Sequence, residues 1–312
     1  MRPFRFSSPI SGITSRRELR DHARKLEDLG YDTLTVSDHF DHHANQLAPL
    51  PSVVAAAEAT TTLKVATLVL CNDFRHPVVL AKEAATVDLL LEGRFELGLG
   101  AGWMRTDYEQ SGIPEDPAGV RIARLEESVR VLKGLFSAGA TSFAGEHYRV
   151  TDLPGTPRPS STGGPPLIIG GGGRKVLTLA GRYADIVGLN PSLPNGVFDE
   201  SAGPSATPAA TDRKLEWLRA AAGDRFGALE LHCRLEAAVV SDDRRGLLEA
   251  LAPAFGVSPD DASESPHALV GTHDEMIEQL RRNRERWGIS YIGVPTSAID
   301  DLAPVVAELR GT

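Results

Sequence analysis

Leu167-Ile168-Ile169-Gly170-Gly171-Gly172-Gly173-Arg174-Lys175 is the stretch on which the fold turns. Its apolar, β-favouring start reads as a short buried strand, its four glycines as a turn, and Val176-Leu177-Thr178-Leu179-Ala180-Gly181 as the helix that follows. Strand, turn and helix make one β/α unit. Glycine removes the Cβ that holds backbone N–H groups away from an anion, and a helix start turns its free N–H groups and positive dipole end toward the same point. The stretch therefore reads as a phosphate-binding turn. A merely flexible glycine turn is the other reading, and it leaves the flanking strand and helix unexplained.

Strand-like runs and helical patterns alternate on both sides of this unit. Strands are expected at residues 4–7, 33–37, 63–70 and 94–100 before it, and at 184–189, within 229–240 and at 290–294 after it. Helices are expected at 16–29, 52–59, 77–91, 122–136 and 274–287, with Leu19, Ala23 and Leu26 on one face of the first and Gly30 ending it. Eight strands alternating with helices predict an α/β fold, a (β/α)8 TIM barrel forming a single domain over residues 1–312. Insertions are expected around 103–120, at a hairpin or loop and Pro/Gly/Ser-rich connector over 141–166, and at a loop over 190–211. In such a barrel the residues just after each strand converge on one face.

Composition narrows the partners. A formal net charge of −9 gives no general attraction to nucleic acid or to an anionic membrane, so a phosphate ligand must be held by local groups. No run of about 18 apolar residues occurs, and Met1 to Phe6 lacks a secretory apolar stretch, so a cytoplasmic protein is expected. Cys71 and Cys233 lack metal-ligand or redox-pair spacing. Asp41, His42 and His43 form a local cluster of ligand types, but nothing elsewhere supplies a matching pair at fixed spacing, and no metal is expected.

Ser37-Asp38-His39-Phe40 follows the second strand, Val69-Leu70-Cys71-Asn72-Asp73-Phe74-Arg75-His76-Pro77 the third, and Gly98-Leu99-Gly100-Ala101-Gly102-Trp103 the fourth. With the glycine run, and with Ala85-Thr86-Val87-Asp88, Gly93-Arg94, Gly145-Glu146-His147-Tyr148, Ala180-Gly181-Arg182-Tyr183-Ala184-Asp185 and Leu269-Val270-Gly271-Thr272, these segments resemble the bacterial luciferase-like monooxygenase superfamily of flavin- and deazaflavin-dependent barrels. The order and spacing of the segments, over nearly the whole chain, carry the resemblance. The Ser37-Asp38-His39 segment is more similar to the branch that uses the deazaflavin coenzyme F420 than to the FMN monooxygenases, which often carry Glu-His there.

The resemblance implies a cofactor phosphate on the amides of Gly170, Gly171, Gly172 and Gly173, and close backbone approach to the ring at Gly100, Ala101 and Gly102. It implies a strand bulge with a non-proline cis peptide at Leu68-Val69 supporting one face of the ring, with Asn72 at its pyrimidine edge. It also implies an acid or a substrate contact among Trp103, Asp107, Tyr108 and Glu109, and a homodimer. His39 is the candidate for proton transfer, because imidazole titrates near neutral pH, and Asp38 beside it either orients the site, contacts the cofactor or caps the loop.

The expected reaction is hydride transfer between C5 of F420 and a small organic substrate, with His39, Asp107 and Glu109 as catalytic candidates. FMN-dependent monooxygenation is the main alternative, and a non-catalytic flavin-binding protein on the same barrel is another. An isomerase or aldolase with a strand-end phosphate site calls for a lysine or glutamate at a strand terminus, and no convincing lysine stands there.

Overall fold

A computed structural model describes residues 1–40, 47–193, 195–197 and 199–312. Its barrel strands are β1 (Arg5–Pro9), β2 (Thr33–Val36), β3 (Lys64–Thr67, resumed at Leu70–Cys71), β4 (Phe95–Gly100), β5 (Leu167–Gly171), β6 (Ile186–Leu189), β7 (Glu230–Arg234) and β8 (Ile289–Gly293). They pair in parallel in the order β3-β2-β1-β8-β7-β6-β5-β4, and pairing of Val65 with Phe95 joins β3 to β4 and closes the ring. The expected barrel is present.

Each strand is buried on both sides, which explains runs such as Phe95-Glu96-Leu97-Gly98-Leu99-Gly100 without polar alternation. Helices Arg16–Asp28, Pro49–Ala57, Pro77–Leu90 and Arg174–Tyr183 cover the outside of the ring. Ser15 caps the first of them, accepting from the Glu18 N–H, and Leu19, Ala23 and Leu26 form its buried stripe. The peptide between Leu68 and Val69 is cis, and it interrupts β3 where the bulge was expected.

One expectation needs correction, the loop over 190–211, and two other segments hold more structure than the sequence shows. Residues 229–240 hold two strands, because only Glu230–Arg234 joins the barrel while Ala237–Val240 pairs with Ala268–Gly271 in a separate sheet. Residues 190–211 are not all loop: a 3-10 turn spans Glu200–Ser205, and helix Pro208–Ala222 begins inside the segment. The Thr207 hydroxyl accepts from the Ala210 N–H and Pro208 supplies a preset first helical residue, a start signal concealed by the Pro- and Ala-rich composition. The 103–120 insertion likewise contains a helix, Arg105–Ser111.

The barrel's N-terminal end is closed by ions. Arg5 at the start of β1 pairs with Glu96 of β4 at 2.7 Å, and its Nε lies 3.1 Å from Glu230 of β7 without donating to it. Its guanidinium also covers the Tyr291 ring of β8 at 4.1 Å. Above this plug Ala66, Ile168, Ile186 and Tyr291 pack together, with Leu68 against them. The solid floor leaves the opposite, C-terminal mouth for ligands. Among the described residues no helix is long and apolar enough to cross a membrane.

Candidate active site

His39 leaves β2 at the mouth, and its Nδ1 lies 2.6 Å from Asp107 Oδ2, while the Phe40 N–H donates to Asp107 Oδ1 at 3.0 Å. A carboxylate there accepts from Nδ1–H, and this fixes the tautomer of the neutral imidazole, with its proton on Nδ1. Trp103 meets the imidazole edge-on with centroids 5.5 Å apart. Helix Arg105–Ser111 turns Asp107 and Tyr108 inward, and residues two apart on a helix point about 200° away from each other. Glu109 is accordingly exposed, so of the two acidic candidates only Asp107 reaches His39.

Asp38 points away from His39 into a buried contact. Its carboxylate accepts from both guanidinium nitrogens of Arg75 and, at 3.1 Å, from the Cys71 N–H. It thereby ties the end of β2 to the far side of the β3 bulge. Burial pushes the Cys71 thiol up to about 12, which keeps it neutral and unreactive. Next to it Tyr108 donates to Asp73 at 3.1 Å, and Asp73 accepts from Arg124 at 2.7 Å. Gly102 lies at φ +79°, and a Cβ there would stand 1.9 Å from the Tyr108 hydroxyl. That position is glycine for backbone and space together. Ala101 packs partly buried against the core.

Asn72 is buried and gives its amide to the Tyr148 hydroxyl at 3.4 Å, leaving Oδ1 buried without a partner. Tyr148 sits at the tip of the hairpin Ala140–Ala144/Arg149–Pro154. The Glu127 carboxylate holds that tip by accepting from the N–H groups of Glu146, His147 and Tyr148 at 2.7, 2.9 and 3.0 Å. This explains the Gly145-Glu146-His147-Tyr148 segment, since a Cβ at Gly145 would fall 2.3 Å from the same carboxylate.

The four glycines after β5 do different work. A Cβ at Gly170 would meet Asn190 Nδ2 at 3.3 Å and Val69 Cγ1 at 3.5 Å. One at Gly171 would lie 2.2 Å from Val176, and one at Gly172 would lie 2.5 Å from the Asn190 carbonyl. Gly173 has nothing within 4 Å, and it stands at the N-cap of helix Arg174–Tyr183, which no side chain caps. Close approach, not positive φ, is what the run requires. Arg174 and Lys175 are exposed first-turn residues. On the neighbouring strand a Cβ at Gly100 would lie 2.7 Å from Val69 Cγ2, so Val69 fills the space that these glycines leave.

Two contributors escaped the sequence. Asn190 extends its carboxamide over Gly170, and Lys214 is buried beneath the segment after β6. The signal for Lys214 was its place on the buried stripe Ala210, Thr211, Lys214, Leu215, Leu218 and Ala222. Burial pulls its ammonium down to about 8. Asp41, His42 and His43 lie outside the described residues, and among the described residues no group of three or more His, Cys, Asp or Glu side chains is placed to hold a metal ion.

Residues 1–202, which contain the His39–Asp107 pair, the Leu68-Val69 bulge and all four glycines, match the sequence profile described as luciferase-like monooxygenase. The chain belongs to the luciferase-like monooxygenase family. Within curated proteins it is similar to an F420-dependent glucose-6-phosphate dehydrogenase of Mycobacterium avium, 38% identical over 180 residues, and to one of Amycolatopsis mediterranei, 35% identical over 174 residues. Each similarity covers 54% of this chain, which spans about half (52%) of the relative's length. Among solved structures, an F420-dependent secondary alcohol dehydrogenase in complex with an F420-acetone adduct superposes with a TM-score of 0.75 at 21% identity over 99% of both chains. At that identity the likeness speaks for the luciferase-like barrel alone.

Proposed function

We propose that this luciferase-like protein is an F420-dependent oxidoreductase that moves a hydride between the deazaflavin and a small organic substrate, with His39 exchanging the accompanying proton. The observation that carries the reading is the His39–Asp107 contact of 2.6 Å at the mouth of a barrel whose neighbouring strand ends are stripped to glycine. The F420-dependent relatives favour that cofactor over FMN.

The residues present fit such a group. An uncapped helix N-terminus with open space at Gly173 suits a phosphate, the apolar Leu68-Val69 bulge suits one face of a flat ring, and the unpartnered Oδ1 of Asn72 suits a ring N–H. When bound, F420 supplies a carbon that gives or accepts a hydride. The chain's own part is to orient and to manage charge. Asp107 holds the imidazole and stabilises it when protonated, and Nε2 takes or returns the proton at a substrate oxygen. Asp38 fixes the β2 end from which His39 projects, and Trp103 limits its rotation. The substrate is recognised by the segments after β4 and β6, because the first brings Trp103 and Asp107 against His39 and the second contacts the first at Arg105.

Titration of the protein with F420 and with FMN, followed by fluorescence, tests the cofactor. Binding of FMN at micromolar or tighter affinity with no binding of F420 overturns the assignment. We extend the proposal to a homodimer, because Val79, Leu89 and Leu90 are exposed on helix Pro77–Leu90, and a second copy of the same helix is the occupant of matching chemistry.

A further inference from the structure

We propose that Lys214 is a positioning residue for the acid–base pair, clamping the segment after β6 so that its tip holds the helix that carries Asp107. The proposal rests on the reading of His39 and Asp107 above and extends it to a residue that touches neither of them.

Lys214 lies on helix Pro208–Ala222 and is 2% exposed, yet among the described residues no carboxylate pairs with it. Its Nζ donates instead to two backbone carbonyls, Asn190 at 2.8 Å and Ser205. Asn190 is the first residue after β6, and Ser205 ends the turn Glu200–Ser205. One ammonium thus joins the two ends of a long excursion. The Ser192 N–H, which donates to the Ser205 hydroxyl, seals the same base. A buried lysine without a counterion is costly, and two carbonyl acceptors are what makes it tolerable.

The excursion is anchored to the site at both levels. At its base the Asn190 N–H donates to the Gly171 carbonyl at 3.2 Å, and the Asn190 carbonyl packs on Gly172. At its tip Gly196, at φ +68°, accepts from the Arg105 N–H at 3.2 Å. A Cβ at Gly196 would stand 2.9 Å from the Trp103 carbonyl. Arg105 opens the seven-residue helix Arg105–Ser111, which has no side-chain N-cap. The Gly196 carbonyl therefore satisfies an orphan donor of a helix too short to persist alone. Asp107 is two residues further on. The path from Lys214 to His39 runs along the strap and the helix start, and hydrogen bonds join Lys214 to the strap, the strap to Arg105, and Asp107 to His39.

Hydrogen exchange on the cofactor-free protein reads this path without any substrate. In Lys214→Met, amides of 190–206 and also of 103–111 should exchange about ten- to a hundredfold faster, the scale of losing hydrogen bonds to a charged group. Gly196→Ala should release 103–111 to a similar degree while Lys214 stays in place. Because both variants break one path, the double variant should be no worse than the more damaging single variant, both in exchange at 103–111 and in turnover with F420. Lys214→Arg, which keeps a charged donor, should recover part of the loss. Faster exchange confined to 190–222, with 103–111 at the wild-type rate, overturns the proposal. Multiplying effects in the double variant do so too. Failure of the wild-type protein to bind F420 refutes the functional reading instead, and the exchange pattern is measured independently of it.

Discussion

Gly173→Asp places a negative charge at the proposed phosphate site without disturbing the chain. Gly173 has extended backbone, φ −94° and ψ 155°, and a Cβ built there meets nothing within 4 Å. It is also the N-cap of helix Arg174–Tyr183, a position where aspartate accepts from first-turn N–H groups and is preferred over glycine by a few tenths of a kcal/mol. The variant should therefore melt at or slightly above the wild-type temperature. Its carboxylate would compete for the donors that hold the phosphate. For charges about 5 Å apart, repulsion is about 0.8 kcal/mol at ε = 80 and about 3 kcal/mol at ε = 20, which is roughly fourfold to two-hundredfold in Kd.

Fluorescence titration with F420 measures that loss, and Gly173→Asn, which caps similarly without charge, isolates its electrostatic part. Gly172 cannot serve for this purpose, because a Cβ there collides with the Asn190 carbonyl at 2.5 Å and would move the loop. If the Gly173→Asp protein is folded and binds F420 as tightly as wild type, the phosphate lies elsewhere and the reasoning is refuted.

His39→Ala should keep cofactor affinity and lose turnover, and Asp107→Asn, which leaves Nδ1 facing a neutral amide, should lower kcat by about 10²–10⁴ with little change in cofactor Kd; stopped-flow hydride-transfer rates decide both, and unchanged rates remove the pair from the reaction. Arg5→Met removes the guanidinium between Glu96 and Glu230, leaves Glu96 with Lys64 at 3.6 Å, and should cost about 3 kcal/mol in urea unfolding while leaving cofactor affinity intact, so an unaltered midpoint would show that the plug is not structural. For Lys214 the folded value near 8 lies below the ordinary 10.5, so the unfolded chain binds the proton more tightly. Wild-type stability relative to Lys214→Met should be flat below pH 8 and rise between about pH 8 and 10.5 by on the order of 3 kcal/mol; a falling difference in paired unfolding curves would reverse the sign.

The barrel was legible because its strands are buried on both faces and its helices carry one-sided buried stripes, features that survive in a single sequence. The Leu68-Val69 bulge was legible only through resemblance, since no local propensity marks it. The seventh barrel strand was legible within 229–240, but its limits were not, because nothing in the run shows that Leu235 and Glu236 are where the chain leaves the ring. Helix Pro208–Ala222 was concealed by a composition that suits loops, although Thr207-Pro208 is a helix start. Asp107 and Glu109 were indistinguishable until helix phase put one inside and the other in solvent. Asp38 showed the reverse difficulty, for its neighbour in sequence is His39 and its partner in space is Arg75.

The proposed acid–base pair joins residues 68 apart in sequence across a contact of 2.6 Å, and only one side of it rests on the barrel. His39 projects from a strand end fixed by the Asp38–Arg75 pair. Asp107 rides on a helix of seven residues, and such a helix takes its position from what surrounds it. Three contacts supply that position: the Gly196 carbonyl at its first turn, Tyr108 buried against Gly102 and Asp73, and Gly112 in the left-handed conformation at its end. Two of them belong to the strand ends and the segment after β4, and the third comes from the segment after β6. If His39 exchanges the proton as proposed, substitutions in residues 190–206 that alter the strap should change turnover together with substrate selectivity, and a variant that shifts selectivity at an unchanged hydride-transfer rate would refute the coupling.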